Sequence, residues 1–267
     1  MLARSYLFVP ADRPERFGKA LSCGADAVIV DLEDAVAPQA KEAARETLRH
    51  WLTTAQAGIV LRINGIDSPW FEADLTLCQH PRIAAVMLPK AERAQDLARL
   101  GRTTGDKPLL PLIETAAGFA AMGELARIPE VHRLVFGSVD FQLDLGIQGD
   151  DDALLYFRSG IVLASKLAQL AAPVDGVSTA IDDVRVLKHD TARAYRMGFG
   201  AKLCIHPRQV DAVNRGFSPS ATEVEWARRV LEAAEPSRGS ATAVDGRMVD
   251  RPVILRAQAV LQALNRT

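Results

Sequence analysis

The sequence predicts an α/β protein, a (β/α)8 TIM barrel with a short C-terminal hairpin and helix extension. Three observations carry that expectation. Eight short apolar runs bounded by turn residues alternate with segments of helical periodicity, and parallel strands need such crossovers. The length of 267 residues, 48% of them hydrophobic, suits one barrel of about 250 residues. No glycine-rich dinucleotide loop follows the first run, so an open doubly wound sheet ranks lower.

Taken in order, Ser5-Tyr6-Leu7-Phe8-Val9-Pro10 is the first strand, and Pro14 with Glu15 opens a helix. The run 27–34 is the second strand and ends in Asp31, Glu33 and Asp34; helix 39–52 follows with Ala44, Leu48 and Leu52 on one face. Strand three, 58–65, carries Arg62 and Asn64 on the same side. A helix at 70–77, strand four at 84–88 and a helix at 91–100 come next. Strand five, 108–114, ends on Glu114, with Thr115 as the cap of helix 116–125. Strand six, 133–140, ends on Asp140. Helix 152–171, strand 174–177, helix 183–197 and strand 201–205 complete the set, the last turning at His206-Pro207. The eighth helix is expected after Ser220, whose spacing to Glu223 makes a capping box. Residues 1–236 are thus read as the barrel. Residues 237–267 form a hairpin turning at Asp245-Gly246 and a helix after Pro252; closure does not require them, so they are expected to cover the site or reach a neighbouring subunit.

A net charge of −1 and no basic cluster argue against nucleic acid as the main partner. No run nears the roughly 18 apolar residues of a membrane span. The first strand starts at once, leaving no room for a signal peptide, and three scattered cysteines read as reduced thiols. The expectation is a cytoplasmic protein.

Sites in parallel α/β folds lie at the carboxyl ends of strands. Glu114 and Asp140 stand at two successive ends, where each alone is an ordinary helix cap. Together they are read as ligands of one hard cation. Oxygen donors with no histidine point to Mg2+ rather than Zn2+. Glu33 and Asp34 are placed over the same mouth, orienting metal-bound water or an arginine. Arg62, a charge inside an apolar strand, either bridges to Asp31 or Asp34 or offers its planar fork to a carboxylate or oxyanion. Lys90 is counted with Arg62 and Glu114 among the substrate-binding residues; a Schiff base there ranks below pairing with nearby acids. His206 is read as anchoring a turn, and Asp250 as capping the last helix.

The stretches Leu7-Phe8-Val9-Pro10-Ala11-Asp12-Arg13-Pro14-Glu15-Arg16-Phe17, Val30-Asp31-Leu32-Glu33-Asp34-Ala35-Val36, Leu61-Arg62-Ile63-Asn64, Leu88-Pro89-Lys90, Ile113-Glu114-Thr115, Phe136-Gly137-Ser138-Val139-Asp140 and Ile205-His206-Pro207 together resemble the citrate lyase β-subunit-like proteins. These group with malyl-CoA and citramalyl-CoA lyases among Mg2+-dependent aldolases. The resemblance implies that Glu114 and Asp140 are metal ligands, that Arg62 binds substrate, and that Asp250, in the tail motif Met248-Val249-Asp250 with Pro252, is a catalytic acid or base of a neighbouring subunit. It also implies a homotrimer. The long carboxyl-terminal domain of larger members is missing, which is similar to the stand-alone relatives. The implied reaction cleaves a β-hydroxyacyl-CoA to acetyl-CoA and a 2-oxo acid. Thioester hydrolysis, or a non-catalytic CoA-thioester-binding subunit of a lyase complex, are the alternatives.

Overall fold

The computed structural model describes residues 2–105, 107–235 and 242–264. Eight parallel strands close into a barrel in strict chain order: a (β/α)8 TIM barrel. The elements run β1 (Ser5–Pro10), α1 (Phe17–Ser22), β2 (Ala27–Asp31), α2 (Lys41–Leu52), β3 (Ile59–Arg62), α3 (Phe71–Cys78), β4 (Ile83–Leu88), α4 (Ala94–Thr104), β5 (Leu109–Ile113) and α5 (Ala116–Leu125). After these come β6 (Val135–Phe136), α6 (Ser138–Leu145), α7 (Leu155–Leu167), β7 (Val174–Asp175), α8 (Val184–Met197), β8 (Ala201–Cys204) and α9 (Pro207–Gly216).

The interior is built by strand alternation. Tyr6, Ile29, Val60, Ala85, Met87, Leu110, Leu112, Val135, Val174, Ala201 and Leu203 form one buried cluster, drawn from every strand at inward positions of period two. Outward positions are buried too, beneath the helices. Asp175 and Lys202 are fully buried there and pair at 3.0 Å, with Arg158 at 2.8 Å from Asp175.

Two helices were not expected from the sequence. Strand six is only Val135–Phe136, because the chain breaks at Gly137 and enters α6; Asp140 therefore lies in the first turn of a helix, not on a strand. Arg133, expected within that strand, instead sends its guanidinium to the carbonyls of Ala3 and Ala172. The helix directly after β8 is α9, not the one after Ser220. One expected helix shifts and another shortens: α4 runs from Ala94 to Thr104 rather than over 91–100, and α7 covers only Leu155–Leu167, ending before Gln169 turns left-handed.

The chain forms two compact units, Ala3–Asn214 and a second containing Arg215–Thr267 with Met1–Leu2; the boundary expected at 236–237 lies outside the described residues. Within the second unit are α10 (Ala221–Ala234), β9 (Thr242–Val244), β10 (Arg247–Val249) and α11 (Arg251–Leu264). The Ser220–Glu223 capping box is formed. Positive φ at both Asp245 and Gly246 gives the hairpin turn whose twist matches its strands; residues 239–241 of the expected hairpin also lie outside the described residues. Val224, Ala227, Val230, Val249, Ala257 and Val260 make this unit's own core. Among the described residues, no helix is long and apolar enough to cross a membrane.

Candidate active site

The inward face of the barrel changes chemistry at its carboxyl end. One step beyond the apolar layer, period two brings Phe8, Asp31, Arg62, Glu114, Gly137 and Ile205 to the mouth. There they line a cavity of about 340 Å³ with Asp34, Leu112, Ser138, Asp140, Val177, Thr179 and Leu203.

Arg62 and Asp31 are register partners on neighbouring strands. Asp31 Oδ1 accepts Arg62 Nε at 2.7 Å and Oδ2 accepts Nη2 at 2.5 Å, a bidentate pair. The same two oxygens take the backbone N–H groups of Glu33 and Ala35, so one carboxylate fixes both the arginine and the β2–α2 loop. Arg62 also meets Glu33 Oε2 at 3.0 Å and lies over the Phe8 ring at 4.7 Å. Burial opposes its charge, yet Asp31 and Glu33 hold its pKa above the usual value. Of the two bridging partners considered, the geometry selects Asp31.

Glu33 is buried, and its second contact is Lys90 Nζ at 3.0 Å. Burial and the neighbouring Asp34 push its carboxyl up against the pull of Arg62 and Lys90. Asp34 itself is exposed at the cavity rim. Lys41 anchors the loop beneath by donating to the carbonyls of Leu32 and Glu33, both at 2.9 Å.

Glu114 is 2% exposed. Its Oε1 accepts the Lys90 N–H at 2.8 Å. Thr115 caps α5 through Gly118 N, and Asp144 of α6 reaches Ala116 N at 2.7 Å. That bond fixes the register of α6, which carries Asp140 one turn earlier on the same side. Gly137 lets the two acids share the cavity: a Cβ there would lie 2.5 Å from Glu114 Cβ and 2.6 Å from Oε2.

Burial, with repulsion from Glu33 and Asp140, pushes Glu114 up to about 8. A buried acid facing other acids asks for a cation. Among the described residues, no set of three or more His, Cys, Asp or Glu side chains converges as a metal cage. Two carboxylates nevertheless suit a hard ion that keeps several waters and takes its other oxygens from a ligand. Glu114 and Asp140 are the residues that could hold it.

A stability trend follows. The folded carboxyl of Glu114 keeps its proton up to about pH 8, whereas the unfolded chain releases it near 4.5. Metal-free protein will therefore lose stability as pH rises between those values. The difference in melting between wild type and Glu114→Gln, which never ionises, isolates this contribution. Parallel melting curves for both proteins across that range would contradict it.

Asp250 caps α11, accepting Val253 N at 3.3 Å, while every residue lining the cavity belongs to the barrel unit. His206 sits where α9 begins, its Nδ1 accepting Arg208 N. Phe8 and Gly137 escaped sequence reasoning. The inward phase of β1 could have found Phe8, but nothing local marks Gly137 as the space beside Glu114.

The profile of the HpcH/HpaI aldolase/citrate lyase family matches residues 4–207. The chain belongs to this family. Within it, a (3S)-malyl-CoA thioesterase of Cereibacter sphaeroides is 36% identical over 97% of this chain and 93% of its own. A citrate lyase subunit beta-like protein of Mycobacterium tuberculosis is 37% identical over 96% and 94%. The solved structure of Mycobacterium tuberculosis CitE in complex with magnesium, acetoacetate and coenzyme A superposes with a TM-score of 0.88 at 35% identity, covering 98% of both chains. The family joins lyase-type enzymes to thioesterase relatives, and the barrel mouth of this member gathers buried acids around one arginine.

Proposed function

We propose that this family member is a Mg2+-dependent carbon–carbon lyase that cleaves or forms a β-hydroxyacyl-CoA such as citramalyl-CoA, malyl-CoA or citryl-CoA, with acetyl-CoA and a 2-oxo acid as the other side of the equilibrium. The observation that supports it is the meeting of Glu114, Asp140 and Arg62 on one small cavity at the barrel mouth. The magnesium, acetoacetate and coenzyme A bound by the Mycobacterium tuberculosis neighbour agree with that donor set.

Held by Glu114 and Asp140, the ion would supply Lewis acidity toward the hydroxyl and carboxylate oxygens of the substrate. Arg62 keeps its fork on Asp31, so its remaining N–H groups are what an enolate oxygen on the thioester would meet. Glu33 holds Arg62 and Lys90 from the loop side. Protonation of the enolate carbon needs an acid, and the role is assigned to Asp250 on the family's tail motif.

Purified protein with Mg2+, offered malyl-, citramalyl- and citryl-CoA in turn, tests the reaction: a 2-oxo acid and acetyl-CoA are expected. Hydrolysis is the second reading, favoured by the 36% identity to the thioesterase; free CoA with intact hydroxy acid would establish it instead.

Asp250→Asn separates acid from cap. Asn caps almost as well, so melting should stay unchanged while turnover falls roughly a hundredfold. Wild-type turnover would remove Asp250 from the mechanism. Mixing this variant with Glu114→Gln restores activity only where one subunit's Asp250 serves another's site. Self-association as a trimer is assigned to the apolar groove between α5 and α7, where Tyr156, Leu163 and Leu167 are 73%, 60% and 77% exposed; sedimentation reads it.

A further inference from the structure

Three non-glycine residues among those described have positive φ: Lys90, Gln169 and Asp245. Asp245 sits in the hairpin turn and Gln169 just past the end of α7, places where a left-handed residue is ordinary. Lys90, at φ +46°, has neither excuse. It follows β4 and Pro89, and its Cβ makes that backbone region unfavourable. A strained residue persists when its surroundings over-determine it.

Four contacts do so here. The Lys90 N–H donates to Glu114 Oε1 at 2.8 Å, and Nζ donates to Glu33 Oε1 at 3.0 Å. Next along the chain, Ala91 N donates to Leu112 O at 3.3 Å. The Ala91 carbonyl rests against Gly118 of α5, where a Cβ would stand 2.7 Å away. Relaxing Lys90 to negative φ would swing its N–H off Glu114 and break the pair to Glu33.

We infer that Lys90 is a positioning residue whose left-handed backbone fixes the carboxylate of Glu114: its N–H occupies Oε1 and leaves Oε2, beside Gly137, for the cation. The ammonium pair with Glu33 offsets the cost of a side chain at positive φ, a cost that glycine does not carry. This role is independent of the substrate contact expected of Lys90 from the sequence. It rests on the Mg2+ reading above and deepens it.

The test compares Lys90→Gly with Lys90→Val in the full-length protein. Both lose the ammonium and both retain the N–H, but only glycine accepts positive φ freely. Calorimetric titration with Mg2+ alone should show affinity retained in Lys90→Gly and weakened about tenfold or more in Lys90→Val, the scale of a lost orienting contact. Equal affinities in the two variants, with melting lowered only in Lys90→Val, would make the strained turn merely structural and overturn the inference. Should Lys90→Val fail to fold, Gly118→Ala leaves Lys90 intact and presses on the Ala91 carbonyl; its Mg2+ affinity should fall, and an unchanged value overturns the inference equally. A wild type that binds no Mg2+ would instead defeat the metal reading on which it rests.

Discussion

Glu114→Gln will abolish Mg2+ binding and lower turnover by about a thousandfold, the several kcal/mol a Lewis acid supplies. The substitution is nearly isosteric, and the amide oxygen can still accept the Lys90 N–H that Oε1 accepts now. What disappears is the charge. The cavity holds Asp31, Asp34, Glu114 and Asp140 against Arg62, and Asp31 is already committed to that arginine. Glu114 is the buried acid without an opposite charge of its own, which is why burial and repulsion raise it to about 8. Losing it leaves the half-buried Asp140 as the single carboxylate ligand. The variant should meanwhile fold at least as well without metal, because a neutral amide avoids the cost of burying the ion. Titration with Mg2+ and a turnover assay on the same sample check both halves. Wild-type Mg2+ affinity in a folded Glu114→Gln protein would end the assignment.

Arg62→Lys is the second large effect. The ammonium keeps the charge but cannot span both oxygens of Asp31, and the contact to Glu33 at 3.0 Å cannot be made at the same time. Turnover at saturating substrate should fall roughly a hundredfold, as for a lost oxyanion donor. Asp31→Asn should reproduce much of that loss from the other side. Its amide would set an N–H against donors, Arg62 Nη2 and Ala35 N, that now share Oδ2. Arg62→Ala is a worse probe, because it strands Asp31 as a buried unpaired charge at a cost of about 3–5 kcal/mol. A defect confined to KM in Arg62→Lys would show that the residue only binds, and enolate stabilisation would be withdrawn.

The sequence by itself determined the barrel. Eight apolar runs with helical crossovers admit few topologies, and they set Glu114 at the carboxyl end of its strand and Arg62 within an apolar one without any coordinates. Thr115 as a cap, the Ser220–Glu223 box and the Asp245-Gly246 turn were equally legible, because each depends on neighbours within a few residues. Tertiary structure decided what lies between elements. The choice of Asp31 as the partner of Arg62 follows from register between β2 and β3, which no single strand encodes. The helix α6 hid in a valine-containing run that reads as strand, and Asp144 reaching across to Ala116 N helps to settle its register. The left-handed turn at Lys90 was invisible for the same reason. Lysine has no preference for that conformation, and only contacts to Glu114, Glu33, Leu112 and the space above Gly118, all distant in sequence, supply the free energy that holds it there.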